Sequence, residues 1–165
     1  MTGALHDGAV TGSRRGIWLA AAAAALVAFG ADLLTKVAVR DRIVPGEEID
    51  LFAGVTLVHT TNRGIAFGIL PNRPVLIAIA TSVALCVIAF ALIAFARRSL
   101  PVLIGGGILV GGSIGNLVDR LARQGVTDFI AITDRWPPFN VADICIVVGA
   151  ALAATGLVAG ADERT

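Results

Sequence analysis

Four apolar stretches, near Ile17–Val39, Val75–Ala96, Val102–Val118 and Val141–Ala159, punctuate this chain. Each is close to the roughly 17–25 residues a helix needs to cross the hydrocarbon of a bilayer. Lipid offers backbone groups no hydrogen-bonding partner, so a spanning segment must satisfy its own N–H and C=O groups, and a helix does this within one segment. Composition agrees: 56% of residues are hydrophobic and 15% charged, with mean hydropathy +0.85, whereas soluble domains are about 45–50% apolar. The expected class is an integral membrane protein, all-α across the bilayer, with both termini on one side. Arg14 and Arg15 ahead of the Ala20–Ala25 run also fit a signal peptide. Apolar character that continues through Leu33, Leu34, Val37 and Val39, with further spans behind it, favours a membrane helix.

The connections are unequal. Arg97-Arg98-Ser99-Leu100-Pro101 reads as a tight turn between the second and third spans, while two long connections emerge together on the opposite face. Those long connections carry strand patterning. Glu48–Leu51 and Val55–Thr60 alternate apolar and polar residues, Val126–Ile132 is rich in β-branched side chains, and Pro45-Gly46 and Ala53-Gly54 are turn signals. A small sheet on the membrane face is expected. Charge does not orient the chain: Arg14, Arg15, Arg97, Arg98 and Arg164 fall on one side, and Arg40, Arg42, Arg63, Arg73, Arg120, Arg123 and Arg135 on the other, so the positive-inside rule leaves the topology open. Cys86 and Cys145 lie inside spans without a metal or redox spacing and are expected to be buried, inert thiols.

Polar residues where lipid should begin carry the functional signal, because an ionised Asp near the bilayer centre costs about 2.5–3.5 kcal/mol. Asp128 sits among Val126, Phe129 and Ile130 in a connection that returns to the head of the last span, where Asp143 stands. Asn140 followed by Asp143, after Pro137-Pro138, is by itself a loose capping box. Two carboxyls brought together in a partly apolar setting cannot both ionise easily, so one pKa rises and the pair holds a shared proton. That is the arrangement of an aspartic protease. Ser82, Ser99 and Ser113 have no nearby base, and His6 and His59 lack a metal-ligand spacing. Intramembrane carboxylates suit a small ion- or proton-coupled transporter equally well, although neither an inverted repeat nor paired broken helices is visible.

Further polar groups face the same side. Asn116, Asp119 and Arg120 share a helix face at i, i+3 and i+4, and Asp32 and Lys36 form an i, i+4 pair for which a plain salt bridge is the simplest reading. Asn62-Arg63-Gly64 reads alone as a turn, with Gly64 supplying backbone freedom. Gly105, Gly106, Gly107, Gly111, Gly112 and Gly115 crowd the third span at small-xxx-small spacing, the mark of close helix packing.

Asp32-Leu-Leu-Thr-Lys36, Asn62-Arg-Gly-Ile-Ala-Phe67, the Gly-Gly-x-x-Gly-Asn-x-x-Asp-Arg run ending at Arg120, Val126-Thr-Asp-Phe129 and Phe139-Asn-Val-Ala-Asp143 together resemble lipoprotein signal peptidase (signal peptidase II) from about Trp18 to Gly156. The resemblance implies four transmembrane helices with an extracytoplasmic β-cradle built from the two long connections, and a catalytic dyad of Asp128 and Asp143. It implies substrate-binding or supporting roles for Asp32, Asn62, Gly64, Asn116, Asp119, Arg120, Asn140 and Ala142. The implied reaction is cleavage of diacylglyceryl-modified prolipoproteins just before their lipidated cysteine, after small residues. No metal or cofactor is implied, and the partners expected are prolipoprotein substrates and membrane lipid, with no nucleic acid and a monomeric enzyme. The bacterial cell (inner) membrane is the expected location, with cytoplasmic termini and the active site near the outer face. Residues 17–159 are expected to form one peptidase domain, with tails at 1–16 and 160–165; the short run from Asp128 to Asp143 departs from the family pattern.

Overall fold

The computed structural model describes residues 14–52, 54–64, 73–95, 99–132 and 136–162. Ile65–Phe67 of the second motif, Arg97-Arg98 of the expected tight turn, Asp134-Arg135, Ala53 and residues 1–13 and 163–165 of the expected tails lie outside the described residues. Among the described residues, four helices carry the chain through the bilayer: α1 (Arg14–Arg42), α2 (Pro74–Phe95), α3 (Leu100–Arg123) and α4 (Val141–Asp162). All four are long and apolar enough to cross a membrane, and the chain is a multi-pass membrane protein.

Each helix contains its expected span almost entirely. α1 and α3 run past it by several residues, because a helix continues in the headgroup region as long as its polar side chains find partners. Leu100 and Pro101, expected in a turn, are the first residues of α3, where a proline's missing N–H costs nothing. Gln124 ends that helix in a left-handed conformation (φ 59°), its N–H donating to the Arg120 carbonyl.

α3 is the hub, packing against α1, α2 and α4. Its glycines make this possible. A Cβ at Gly107 or Gly111 would run into the backbone carbonyls of Ala21 and Ala25 on α1, and one at Gly112 would lie 2.6 Å from the Ala142 carbonyl of α4. The molecule is turned inside out relative to a soluble protein. Leu26, Val27, Leu34, Val87, Phe90, Val147 and Leu157 are exposed, whereas Asp32, Lys36, Asn116, Asp119, Asp128 and Asn140 are buried. The expectation that both cysteines are buried is corrected here: Cys86 lies on the exposed face of α2, and Cys145 is half-buried.

The long connections form one antiparallel sheet of β1 (Glu48–Phe52), β2 (Val55–Asn62) and β3 (Val126–Ala131), in that order. Gly54, with φ +78°, turns β1 into β2. β2 pairs with β3 through Thr60↔Asp128 and Thr61↔Thr127, after an irregularity between Leu57 and Thr60. The short return from β3 is pinned by Phe139, whose carbonyl accepts from the Phe129 and Ile130 amides and whose N–H donates to the Ile130 carbonyl. Val39, Ile43 and Phe129, flanked by Leu57, Ile130 and Val141, seal the sheet onto the ends of α1 and α4.

Candidate active site

Asp128 and Asp143 are bridged by a single residue. Asn140, fully buried, donates its side-chain Nδ2 to Asp128 Oδ1 at 2.6 Å and its backbone N–H to Asp143 Oδ2 at 3.2 Å. Its Oδ1 in turn accepts the Asp143 N–H at 3.0 Å. The capping box expected at the head of α4 is therefore present, and it is also the clamp on the two carboxyls. Asp143 Oδ1 accepts a second bond from Asn116 Nδ2 at 2.9 Å, and Asp128 Oδ2 accepts one from Asn62 Nδ2 at 3.0 Å.

Asn62 is itself fixed at the end of β2, because its Oδ1 accepts the Gly64 N–H at 2.9 Å in an Asx turn. Each carboxyl thus has one amide of its own and shares Asn140.

Burial pushes the Asp128 carboxyl up to about 6, and the nearby charge of Asp143 pushes the same way. The bonds from Asn62 and Asn140, and the positive charge of Lys36, pull against that rise. Desolvation wins because Asp128 is only 3% exposed. Asp143 is half-buried. It borders an apolar groove of about 530 Å³ with Ile132, Trp136, Phe139, Ile144, Val147 and Val148, open to the outer face of α4.

The other residues singled out in the sequence fall around this pair in two groups. Arg120 lies within electrostatic reach of both Asp143 and Asp128 and lines a second groove with Val75, Ala78, Ile79 and Leu121. Asp32, Asp119 and Ala142 sit behind the pair. Asp32 is completely buried. Its Oδ1 accepts the Ala142 N–H at 2.9 Å, so a carboxylate from α1 caps α4, and its Oδ2 pairs with Lys36 Nζ at 2.8 Å. Only a glycine at position 115 leaves room, since a Cβ there would collide with Asp32 Oδ2. Asp119 ties the sheet to the bundle. It accepts the Thr127 N–H at 2.9 Å and pairs with Arg40 at 3.2 Å.

The motif readings passed over two groups. Lys36 is more than the partner of Asp32, for it also donates to Asn116 Oδ1 at 2.8 Å; Arg40 joins Asp119 to the Thr127 hydroxyl. Their signal was the spacing Asp32, Lys36, Arg40 in fourfold steps, which lines one face of α1. Among the described residues, no group of three or more His, Cys, Asp or Glu side chains is disposed to hold a metal ion.

A model of the signal peptidase (SPase) II family matches residues 24–159. The chain belongs to the signal peptidase II family. Among its relatives, a lipoprotein signal peptidase of Halothermothrix orenii is 40% identical over 124 residues, covering 73% of this chain and 83% of that protein. One of Pelotomaculum thermopropionicum is 38% identical over 138 residues, covering 81% of this chain and 88% of the relative. A solved bacterial membrane enzyme superposes with a TM-score of 0.81 at 23% identity, over 88% of this chain and 91% of that one, which shows the shared fold. A second superposes with a TM-score of 0.76 at 25% identity, over 83% and 91%. The family is one of peptidases, and the aspartic type fits it.

Proposed function

We propose that this chain is the endopeptidase that removes the signal peptide from diacylglyceryl-modified prolipoproteins, cutting just before the lipidated cysteine, with Asp128 and Asp143 as its catalytic pair. The clamp of both carboxyls by Asn140 carries this reading, because it presents two acids of unequal environment to one point. Asp128, with its carboxyl raised to about 6 by burial, is the protonated member. Asp143, accepting two N–H bonds at the mouth of a groove, is the base.

Asp143 takes a proton from water as the water oxygen attacks the scissile carbonyl carbon, while the Asp128 proton passes to the carbonyl oxygen. Collapse of the tetrahedral intermediate returns that proton to Asp128 and breaks the C–N bond. The proton held by Asp143 goes to the leaving amine, and both acids are restored. Asn62, Asn116 and Asn140 hold the pair, Gly64 fixes Asn62, Asp32 caps α4 through Ala142, and Asp119 anchors β3. Arg120 faces the developing charge. No metal or cofactor has a part in this scheme.

The acyl chains and the apolar signal helix of the substrate bury in lipid, which delivers the scissile bond to the membrane edge. The enzyme works as a monomer in the bacterial cell membrane, with residues 17–159 as one peptidase unit, cytoplasmic tails at both ends and the sheet on the outer face. The transporter reading finds no support in the family match. Two measurements test the proposal. Purified protein in detergent is expected to cleave a lipidated precursor peptide with no ion gradient present. In a background lacking Cys86 and Cys145, a thiol placed at Glu48 is expected to react with an impermeant reagent outside the cell, and one at Ser99 is not. Labelling of Ser99 alone puts the site in the cytoplasm and ends the assignment.

A further inference from the structure

Lys36 is buried to 1% exposure in a helix that faces lipid, and its pairing with Asp32 does not account for where its charge goes. The ammonium sits 2.8 Å from Asp32 Oδ2, 2.8 Å from Asn116 Oδ1 and 3.7 Å from Asp119 Oδ2. Asn116 Oδ1 also accepts Asn140 Nδ2 at 3.2 Å. With two donors on its oxygen, the Asn116 amide has one orientation left, and its Nδ2 reaches Asp143 Oδ1 at 2.9 Å. A cation on the carbonyl side of an amide polarises it and strengthens the N–H it presents on the other side.

Charge points the same way. Among the described residues, the carboxyls gathered here are Asp32 from α1, Asp119 from α3, Asp128 from β3 and Asp143 from α4. The cations are Lys36 and Arg40 from α1 and Arg120 from α3, with Arg123 at the exposed edge of Asp119. β2 contributes the neutral Asn62, and α4 the Cys145 thiol. Leaving the exposed Arg123 aside, four carboxyls against three cations leave a buried cluster that is neutral when the Asp128–Asp143 pair holds one proton.

We propose that Lys36 is a positioning residue for the reaction, orienting and polarising the Asn116 amide so that Asp143 is held in place. The inference rests on the catalytic assignment of Asp128 and Asp143. The alternative is a purely structural Lys36, whose purpose is to neutralise Asp32.

Lys36→Met removes the charge and the donor, and Lys36→Met combined with Asp32→Asn removes one buried cation and one buried anion together. The double variant folds because no unpaired charge is left between α1 and α3, and Asn at 32 keeps an oxygen for the Ala142 N–H. Cleavage of a lipidated precursor in detergent is followed against pH for both, with Asp143→Asn beside them and thermal unfolding as a check on folding. Both Lys36 variants are expected to lose about 100-fold in kcat, the scale of a misplaced catalytic group, with KM within a few-fold of the parent. The kcat/KM profile of Lys36→Met is expected to move to higher pH, since removing the cation makes Asp128 easier to protonate, while the double variant, which loses an anion with the cation, is expected to keep the parent profile. A double variant that recovers the parent kcat makes Lys36 structural and overturns the inference. Activity surviving in Asp143→Asn overturns instead the catalytic assignment beneath it.

Discussion

α2 and α3 are neighbours of nearly equal length, 22 and 24 residues, built on opposite principles. Only 11% of the α2 span is buried, and apart from Thr81 and Ser82 its side chains are apolar, with Val83, Val87 and Phe90 exposed to lipid. Half of the α3 span is buried, and what it buries is glycine and polar side chains, including Gly107, Gly111, Ser113, Asn116 and Asp119. In water the hydrophobic side of a helix marks the inside. In a bilayer, lipid is as apolar as leucine, so association is driven by close backbone approach and by polar groups that need each other. α3 is the inside of this protein because it carries glycine and polar side chains where α2 carries bulky apolar ones, and the carboxyl pair sits where its polar end meets α4 and the sheet.

The largest expected effect separates those polar positions from everything on α2. Asp143→Asn and Asp128→Asn are each expected to reduce cleavage by at least about 10³-fold, since an amide of the same size can neither take a proton from water nor hold one for the carbonyl. Both proteins are expected to insert at parental levels. Substantial turnover by either would sink the pair as the seat of chemistry.

Gly111→Val breaks the comparison at its packing. The added side chain meets the backbone carbonyl of Ala25, which cannot rotate away as a side-chain tip could, so α1 must shift. The expected loss is about 3 kcal/mol or more, at the upper end for overpacked cores, read as a lowered unfolding temperature in detergent. Activity is expected to fall with it, because α1 carries Asp32 and Lys36 to α4 and Asn116.

The pH dependence sharpens the electrostatic half of the contrast. Asp128 rises from 3.8 to about 6 on folding, so between those values the folded chain holds a proton that the unfolded chain has lost. The stability tied to this group is fully present below pH 3.8 and is lost as pH rises through about 6. At 1.36 kcal/mol per unit the difference is about 3 kcal/mol. Asp128→Asn is expected to flatten that slope. In the free parent enzyme the same deprotonation removes the shared proton, so kcat/KM is expected to fall above about pH 6. A profile flat from pH 5 to 8 contradicts the assignment of the proton to Asp128.

Much of this is legible in the sequence. Helices announce themselves by unbroken apolar length, so each expected span lies within, or a residue of, its helix, and β-branched alternation with Gly54 at a turn marked the strands. The capping box at Asn140 and the approach of Asp128 to Asp143 followed from a short connection that has to return. The interior wiring did not. Asp32 reads in the sequence as an i, i+4 partner of Lys36, and nothing local says that it caps a helix 110 residues away through Ala142. That contact exists because Gly115 leaves space for a carboxylate, a fact of packing between helices. Lys36 and Asn116, 80 residues apart, are the same case.

The smallest effect is expected on the lipid-facing side of α2, and it tests whether that face is free. Val87 and Phe90 are 61% and 67% exposed, and Val87→Leu and Phe90→Leu exchange one apolar surface for another. Neither side chain leaves water on folding within the membrane, so no transfer term changes, and no close backbone contact depends on their shape. Each is expected to alter stability by less than about 0.5 kcal/mol, as for substitutions away from any packed feature, and to leave cleavage at the parental rate. The measurement is unfolding temperature and kcat/KM in the same detergent as the Gly111→Val protein. A loss of more than about 1 kcal/mol from either substitution, at a scale reserved for packed sites, means that α2 is covered by a second protein surface. The monomer would then have to be given up, and α2 would belong with α3 among the helices that pack.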